Sequence, residues 1–423
     1  MGEGIMKIAV IGSGISGLSA AWLLHDKHQV TLFEAADYLG GHTHTVDVTL
    51  EGKTHPVDTG FLVYNDLTYP NLIRLFDHLG IETHETEMSF SVSVPEANLE
   101  WAGASLGTLF AQRRNLVRLN YWRMLQEIVQ FNNRAQMLLA WSEQRRVTLG
   151  HLLDEHGYSE WFRSWYLLPM AAAIWSSTPA EILGFPASTF LRFCINHRLL
   201  QIEGRPQWRS LIRGGRCYVE KLAKPLDIRL NTPVKSVNRM GEGVEVESAL
   251  DHSLYDAVIF ATHAPDTLRM LKDADAQERL LLGAFTYQPN SAVLHTDRRF
   301  LPTRESLWSA WNYLSLGEMD QSVCVSYLLN RLQRLPFETP LMITLNPDRR
   351  YMPENPIATY RYDHPVFNQS AIDAQTRLSE IQGRNRAWFC GAWCGYGFHE
   401  DGLKSALRII GDFDAEAPWK AVL

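Results

Sequence analysis

The feature that most constrains the fold is a glycine-rich turn that directly follows a short apolar segment. Residues 7–11, KIAVI, have the composition of a buried parallel strand, and the turn after them leads into an apolar helical segment, LSAAWLL. Gly12 allows the tight bend, Gly14 leaves room for a pyrophosphate against the backbone, and Gly17 lets the helix pack closely on the strand. The turn therefore predicts a dinucleotide site at a helix N-terminus, formed by Gly12, Ser13, Gly14, Ile15, Ser16 and Gly17.

A second apolar segment, VTLFE, supplies the acid that such a site requires. It ends in Glu34, 22 residues after Gly12, where a carboxylate can hold the 2′-hydroxyl of an adenosine ribose. A carboxylate at that point disfavours the 2′-phosphate of NADP. The alternative, a glycine turn that binds nothing, explains neither the strand, the spacing nor the acid. We therefore expect Glu34 and the adjacent Ala35 to contact the nucleotide.

The next segment distinguishes between two kinds of dinucleotide. It continues through Gly40, Gly41, His42 and Thr43, and in this form it resembles flavin-binding families that add a second glycine pair to the dinucleotide fold. That resemblance implies FAD, with these four residues beside it. In those families an arginine usually follows the glycine pair and lies along the pyrophosphate. Here His42 takes its place, and a histidine carries a full charge only below about pH 6.5.

Further segments resemble the flavin-containing amine oxidase and phytoene desaturase superfamily. They are VDTGF at 57–61, a strand from 228 to 237, WFCG at 388–391 and GLKSA at 402–406. The resemblance implies FAD contacts from Gly60, Phe61, Val234, Gly391, Gly402 and Leu403. A helix beginning near Gly402 would direct the amides of Gly402 and Leu403 at the pyrimidine end of the flavin, where negative charge develops on reduction.

A narrower resemblance concerns the phrases LEWAG, LFAQRRNL, HPVF and GFHEDG. They are similar to predicted NAD/FAD-binding oxidoreductases that are often encoded beside, or fused to, cyclopropane fatty acid synthases. The resemblance implies lipid chemistry by association, and a lipid-modifying enzyme as a partner.

The order of these segments predicts two domains, one of them discontinuous. The fold class is α/β: a Rossmann-type FAD-binding domain from residues 1–70, 205–270 and 380–423, and an α+β substrate domain from 71–204 and 271–379. The strict alternation of residues 88–94 predicts a strand with one buried face, and residues 107–200 are mostly helical in pattern. Further strands are expected near 291–296, 324–329, 341–345 and 357–362, forming an antiparallel sheet backed by helices.

The segment YGFHEDG, residues 396–402, places three ionisable side chains between two glycines. Three consecutive residues cannot easily converge on one ion, so we expect no metal there. Glu400 and Asp401 would oppose the charge of a reduced flavin, and capping of the following helix is the simpler role for both. His399 is compatible with that end of the flavin and is the candidate for proton transfer, with Tyr396 as a candidate aromatic wall.

These observations leave three functions open. The first is an FAD-dependent oxidoreductase that desaturates, oxidises or isomerises a fatty acyl chain or related apolar substrate by hydride transfer to flavin N5. The second is an amine oxidase that releases hydrogen peroxide, although no lysine near N5 can be assigned with conviction. The third is a flavoprotein without turnover that assists a lipid-modifying enzyme.

Composition limits partners and location. The 423 residues have a net charge of −7, which argues against nucleic acid. Five scattered cysteines and the lack of a leader or an apolar span predict a cytoplasmic protein. Residues 109–131 are a local exception, with several arginines among leucines. They predict either a helix in peripheral contact with an anionic membrane or an ordinary surface helix whose arginine stems cover the core.

Overall fold

The structure is a computed structural model and describes residues 4–175, 177–201, 204–250, 252–315 and 324–423. Strands β1 to β20 in these ranges are, in order, Lys7–Ile11, Gln29–Phe33, Thr45–Leu50, Lys53–Asp58, Tyr64–Asn65, Thr83–Thr86, Phe90–Val94, Leu99–Ala102, Trp208–Leu211, Asp227–Arg229, Val234–Met240, Gly243–Ser248, His252–Tyr255, Ala257–Phe260, Thr286–His295, Trp311–Leu314, Cys324–Leu328, Met342–Leu345, Ala358–Val366 and Ala387–Phe389. Helices α1 to α15 are Ile15–Leu24, Pro70–Leu79, Leu106–Leu109, Leu119–Arg145, Leu149–Glu155, Glu160–Phe162, Leu168–Trp175, Pro179–Leu183, Ala187–Asn196, Arg216–Ala223, Ala264–Met270, Ala276–Leu282, Leu329–Leu332, Gln369–Gln375 and His399–Ile409.

A parallel sheet carries the glycine-rich turn. Its strand order is β10-β2-β1-β14-β20, and each neighbouring pair is parallel. Residues 8–11 of the central strand β1 are buried on both faces, as a strand covered by helices on both sides requires. Helices α1 and α15 pack against one face through one apolar cluster. The turn after β1 therefore lies at the carboxyl edge of this sheet, where nucleotides bind in folds of this kind.

The second large sheet has the order β19-β15-β18-β17-β16-β7-β8. All its pairs are antiparallel except β16 with β7, which run parallel. The mixed α/β class that the sequence predicts is confirmed. The expectation that the strand within residues 88–94 buries only one face is wrong. Ser91 and Val92 lie on opposite faces of β7, and both are fully buried. The Ser91 hydroxyl donates to Asn312 Oδ1 at 2.8 Å, so the buried polar face is satisfied by the neighbouring strand.

Each of the two large sheets is built from the residue ranges predicted for its domain, whereas one helix packs with the other domain. Every strand of the parallel sheet comes from residues 1–70, 205–270 or 380–423, and every strand of the seven-stranded sheet comes from the other two ranges. Helix α2 begins at residue 70, yet its Leu72, Leu75 and Phe76 pack in the same cluster as α1 and α15. The domain boundaries stay a prediction, and a first boundary after α2 would agree better with this packing.

The predicted helical region and the cysteines can also be located. Helices α3 to α9 lie between residues 106 and 196 and cover the seven-stranded sheet and one another through two apolar clusters. All five cysteines are free thiols. Within the described ranges, no helix is both long and apolar enough to cross a membrane.

Candidate active site: a dinucleotide cleft that continues into an apolar cavity

The three glycines of the first turn meet different surroundings. Gly12 has a φ of +101°, and a Cβ there would lie 2.7 Å from the Ala261 carbonyl oxygen. A Cβ on Gly17 would lie only 1.8 Å from the Gly12 carbonyl oxygen, so this glycine lets α1 approach β1. A Cβ on Gly14 would meet nothing within 4 Å. The open space is therefore beside Gly14, where the motif requires room for a phosphate.

The N-terminus of α1 and the second glycine pair border that space. Gly14 is the N-cap of α1, and no described side chain caps this helix. Its first amides are therefore free to bind an anion, with the helix dipole in support. A Cβ on Gly41, whose φ is +58°, would lie 3.2 Å from the Gly14 Cα. The Gly40 amide donates to the Ser13 carbonyl oxygen at 3.0 Å. The two glycine turns thus lie directly against each other.

Glu34 lies at the end of β2, where the sequence predicts it. Its Oε2 accepts hydrogen bonds from the Ser13 amide at 2.9 Å and the Ser13 hydroxyl at 2.6 Å, and its Oε1 accepts one from the Ala36 amide at 2.8 Å. These bonds fix the carboxylate beside the first turn. A fixed acceptor there suits a ribose hydroxyl.

A cavity of about 510 Å³ begins at these turns, within the usual size range of a cofactor and substrate site. Most residues predicted to contact the cofactor line it: Gly12, Ser13, Gly14, Ile15, Ser16, Glu34, Ala35, Gly40, Gly41, His42, Gly60, Phe61 and Gly391, together with Tyr396 and His399. Gly17, Thr43, Val234, Gly402 and Leu403 lie outside its lining. Gly17 packs against β1, Thr43 is buried behind the second turn, and Val234 begins β11 in a separate small sheet.

The structure corrects the predicted role of Gly402 and Leu403. Helix α15 begins at His399, three residues before the predicted start, and the Gly402 amide donates to the Phe398 carbonyl oxygen at 3.0 Å. Leu403 is fully buried in the core, in the second turn of the helix, where amides bond within the helix. Neither amide is free. Gly402 instead permits close packing, since a Cβ there would lie 2.7 Å from Ile15 Cγ2.

The two acids of YGFHEDG act as caps on two different helices. Asp401 Oδ2 accepts from the Phe398 amide at 3.0 Å and thereby caps its own helix. Glu400 turns away and caps α2, accepting from the Asn71 amide at 3.1 Å and the Leu72 amide at 2.9 Å. Burial raises the pKa of Asp401 to about 6. Neither carboxylate is among the residues that line the cavity.

His399 lies in a buried polar network at the cavity wall. Its Nε2 is 2.8 Å from the Thr43 hydroxyl and 3.2 Å from the Tyr218 hydroxyl, and its ring stacks on Phe61 with centroids 3.6 Å apart. Burial, followed by the nearby His42, lowers the pKa of His399 to about 3. The ring is thus neutral and oriented. Tyr218 is a partner that sequence reasoning missed; it is on α10, directly after the Gly214-Gly215 pair.

Three imidazoles surround the cavity near the second glycine turn. The ring of His42 lies 6.2 Å from that of His263 and 5.5 Å from that of His364, and His263 stacks on Tyr287 at 4.2 Å. Burial lowers the pKa of His42 to about 4 and that of His364 to about 3. Nε2 of His42 is buried without a partner among the described residues. Such an atom is a candidate hydrogen-bond donor to a bound group, in place of the arginine that usually follows the second glycine pair in flavin-binding families.

The part of the cavity away from the glycine turns, here called the far half, is lined mainly by apolar side chains. Its walls are apolar and aromatic side chains from the seven-stranded sheet, from α7 and from the segment just before β7: Met88, Ile174, Trp175, Trp311, Tyr327, Ile343 and Leu345. The cavity is lined by no lysine of the described chain. Its two carboxylates other than Glu34 belong to Asp266 and Asp363, which pair with Arg269 and Arg361 respectively. Most of the side chains that border the far half are therefore apolar or aromatic.

The described residues contain no cluster of histidine, cysteine and acidic side chains that could hold a metal ion. They do fit FAD. A helix N-terminus without a side-chain cap faces an open space beside Gly14, an acid lies at the end of β2, and a second glycine turn closes the other side. These features define an FAD-binding site that opens into a second, mostly apolar part of the same cavity.

Comparison with known proteins gives the family. The protein-family model described as "Flavin containing amine oxidoreductase" matches residues 15–409, and the chain belongs to this family. The cofactor is FAD. A curated relative, the flavin-containing amine oxidase B of Bos taurus, is 28% identical over 273 residues, which are 62% of this chain and 51% of the relative. The chain thus spans about half the length of the curated relatives that it matches.

Solved structures show the same fold. A wild-type putrescine oxidase bound to putrescine has a TM-score of 0.68 at 17% identity, with 97% of this chain and 99% of that chain covered. A fatty acid isomerase from P. acnes that produces CLA has a TM-score of 0.66 at 14% identity, with 96% and 98% covered. At these identities the likeness concerns the fold alone.

Proposed function

We propose that this FAD-dependent oxidoreductase acts on a fatty acyl chain or a related lipid, by desaturation, oxidation or isomerisation. The observation that carries the proposal is the apolar far half of the cavity. Bound FAD would accept a hydride from a substrate carbon at N5. The chain's own residues bind the substrate, orient it against the cofactor and exclude water from the cavity.

The walls favour an apolar substrate on physical grounds. Burial of a methylene stabilises a complex by about 0.8 kcal/mol, so a chain that fills the far half is bound strongly without polar contacts. A polyamine would carry several charges into the same space, and a buried charge is costly unless it is paired. Asp266 and Asp363 already pair with arginines. These walls therefore suit an acyl chain better than a polyamine.

His399 and its network serve orientation in this proposal. The neutral ring is fixed by Phe61 on one side and by the hydroxyls of Thr43 and Tyr218 at Nε2. Because burial keeps the ring neutral, it can accept or donate a hydrogen bond without adding charge to the cavity. We assign to His399 the positioning of cofactor or substrate, with the Thr43 and Tyr218 hydroxyls holding its ring in place.

A second candidate is an amine oxidase, favoured by the family and by the 28% identity to the bovine enzyme. The same fold accommodates putrescine in one neighbour and belongs to a fatty acid isomerase in another. The two candidates differ in product, since an amine oxidase releases hydrogen peroxide in air when it is given an amine.

Anaerobic mixing distinguishes the candidates. The flavin band at about 450 nm is followed while unsaturated phospholipids, free fatty acids or polyamines are added, and recovered lipid is analysed for new or shifted double bonds. Bleaching by a lipid, or a shifted double bond without bleaching, is the expected result. Bleaching by polyamines alone, with unchanged lipid, would show that the substrate is an amine.

A matched pair of variants tests the assigned cavity. Met88 lines the far half, whereas Met352 is 44% exposed and lies outside it. Met88→Glu introduces a charge beside the proposed acyl chain and should lower kcat/KM for the lipid at least tenfold, with flavin content unchanged. Met352→Glu should leave both values unchanged. Equal activity of the two variants would place the substrate elsewhere.

A further inference from the structure

A second surface remains unused by the proposed site: the segment before and at the start of α4. It forms no continuous helix from 109 to 131. After α3, the chain makes a 3₁₀ turn at Arg113–Val117, and α4 begins only at Leu119. This break brings apolar side chains to the outside. Val117 and Leu119 are both 83% exposed, and Leu116 and Trp122 are 50% and 46% exposed.

Local contacts hold these side chains in place. The Trp122 indole Nε1 donates to the Leu116 carbonyl oxygen at 2.8 Å, and its ring lies 5.2 Å from that of Phe110. Tyr121 is fully buried beneath them, and its hydroxyl donates to the Leu109 carbonyl oxygen at 2.7 Å. The exposed apolar side chains are therefore presented by an anchored turn. Contiguous exposed apolar side chains on a soluble protein commonly mark an interaction site.

The charge around the cluster indicates the partner. Residues 106–123 contain four arginines and no acidic residue, although the whole chain has a net charge of −7. Arg118 and Arg123 are engaged, Arg118 with the Ala97 carbonyl oxygen and Arg123 with Glu127. Arg113 and Arg114 are exposed and form no ion pair with the described residues; Arg114 donates to the uncharged Asn98 Oδ1, so its charge is not neutralised. They border a groove of about 830 Å³ in which the nearby Glu100 is already paired with Arg304.

We propose that this surface, formed by Arg113, Arg114, Leu116, Val117, Leu119 and Trp122, docks on an anionic lipid bilayer. The apolar side chains enter the boundary between headgroups and acyl chains, and the two arginines contact anionic headgroups. Amphipathic tryptophan is suited to that depth. The ordinary alternative, arginine stems that cover the core, accounts for Arg118 over Trp165 but leaves Val117 and Leu119 uncovered.

The surface lies at the β7–β8 edge of the seven-stranded sheet. The buried Tyr121 and Met124 of α4 pack on Val92 and Trp101, which belong to β7 and β8. Strand β16, which pairs with β7, contributes Trp311 to the far half of the cavity. Docking would therefore place this edge next to the bilayer. The proposal does not depend on the substrate, because binding to vesicles is measured without turnover.

Flotation of the purified full chain with vesicles tests the proposal. Vesicles of phosphatidylcholine alone are compared with vesicles containing a quarter phosphatidylglycerol, at low and at high salt. Binding to the anionic vesicles that weakens in high salt is expected. No binding to anionic vesicles, or equal and salt-insensitive binding to both kinds, would overturn the proposal.

Three double variants identify the surface. Val117→Ser with Leu119→Ser should weaken vesicle binding at least tenfold. Arg113→Ser with Arg114→Ser should weaken it by about 25-fold, about fivefold for each arginine near an anionic surface. Leu254→Ser with Leu280→Ser changes leucines that are 57% and 58% exposed elsewhere and should have no effect.

Flavin content and oligomeric state complete the test. Both surface variants should retain the flavin of the unchanged chain, because neither touches the cavity. A loss of binding by the Leu254 and Leu280 control equal to that of the surface variants would overturn the assignment. So would sedimentation that shows a dimer dissociated by the Val117 and Leu119 changes, since a second copy would then be the partner.

Discussion

Replacing Gly14 and Gly17 by alanine, one at a time, should have separable effects on stability and on flavin binding. The two glycines are three residues apart in the same turn. A Cβ on Gly17 would lie 1.8 Å from a backbone oxygen, whereas a Cβ on Gly14 would meet nothing within 4 Å. The folded chain itself has room for a methyl group at Gly14, so only the bound cofactor requires a glycine there.

The magnitudes follow from these contacts. Gly17→Ala gains about 1 kcal/mol of helix propensity but overpacks the β1–α1 contact at a cost of about 3 kcal/mol, so the net loss is about 2 kcal/mol. For Gly14→Ala, a φ of −63° suits alanine. Its reduced freedom in the unfolded chain and its poorer N-cap each contribute about 0.5 kcal/mol with opposite sign, so stability should hardly change.

The assay compares flavin-free and flavin-loaded protein. Denaturant unfolding of the flavin-free variants gives the stability difference, and the ratio of flavin to protein absorbance after purification gives retention. Gly14→Ala should unfold like the unchanged chain and bind flavin at least tenfold more weakly, since its methyl group occupies the space for the pyrophosphate. Full flavin retention by Gly14→Ala, or destabilisation equal to that of Gly17→Ala, would refute the assignment of this space.

Other predictions concern the scaffold. Glu400→Ala removes the acceptor of two α2 amides and should lower the free energy of unfolding by about 2 to 4 kcal/mol with faster amide exchange in α2, whereas exposed Glu416→Ala should do neither. Arg239→Met leaves fully buried Glu278 without its main partner and should cost about 3 to 5 kcal/mol in denaturant unfolding, part of which the double change with Glu278→Leu restores. Burial lowers the pKa of His295 to about 4, so the unfolded chain binds a proton first and stability should fall as pH falls from about 6.5 to 4, less steeply in His295→Asn.

Local signals in the sequence were enough for the nucleotide half. The strand at residues 7–11, the three glycines and Glu34 interact over short distances, and the structure places them together. The start of α15 was misplaced for a local reason as well. Its N-cap is Phe398, which is not a capping residue type, and Gly402 resembled a helix start although it serves helix packing.

Long-range partners could not be predicted from one sequence. Glu400 caps a helix whose first residues are 329 positions away, and no local pattern indicates that partner. The far walls of the cavity come from α7 and the seven-stranded sheet, whose apolar residues are indistinguishable in sequence from core residues. Likewise, the exposure of Val117 and Leu119 depends on a break in the helix that the run of arginines and leucines did not indicate.

The central claim is an apolar substrate cavity next to the flavin, and a binding series tests it most directly. Saturated fatty acids of increasing chain length are titrated into the flavin-loaded protein, and the dissociation constant is read from the change in flavin absorbance. Each added methylene should tighten binding by about fourfold, equivalent to about 0.8 kcal/mol, until the cavity is filled. Affinity that does not change with chain length, while polyamines perturb the flavin instead, would contradict the account.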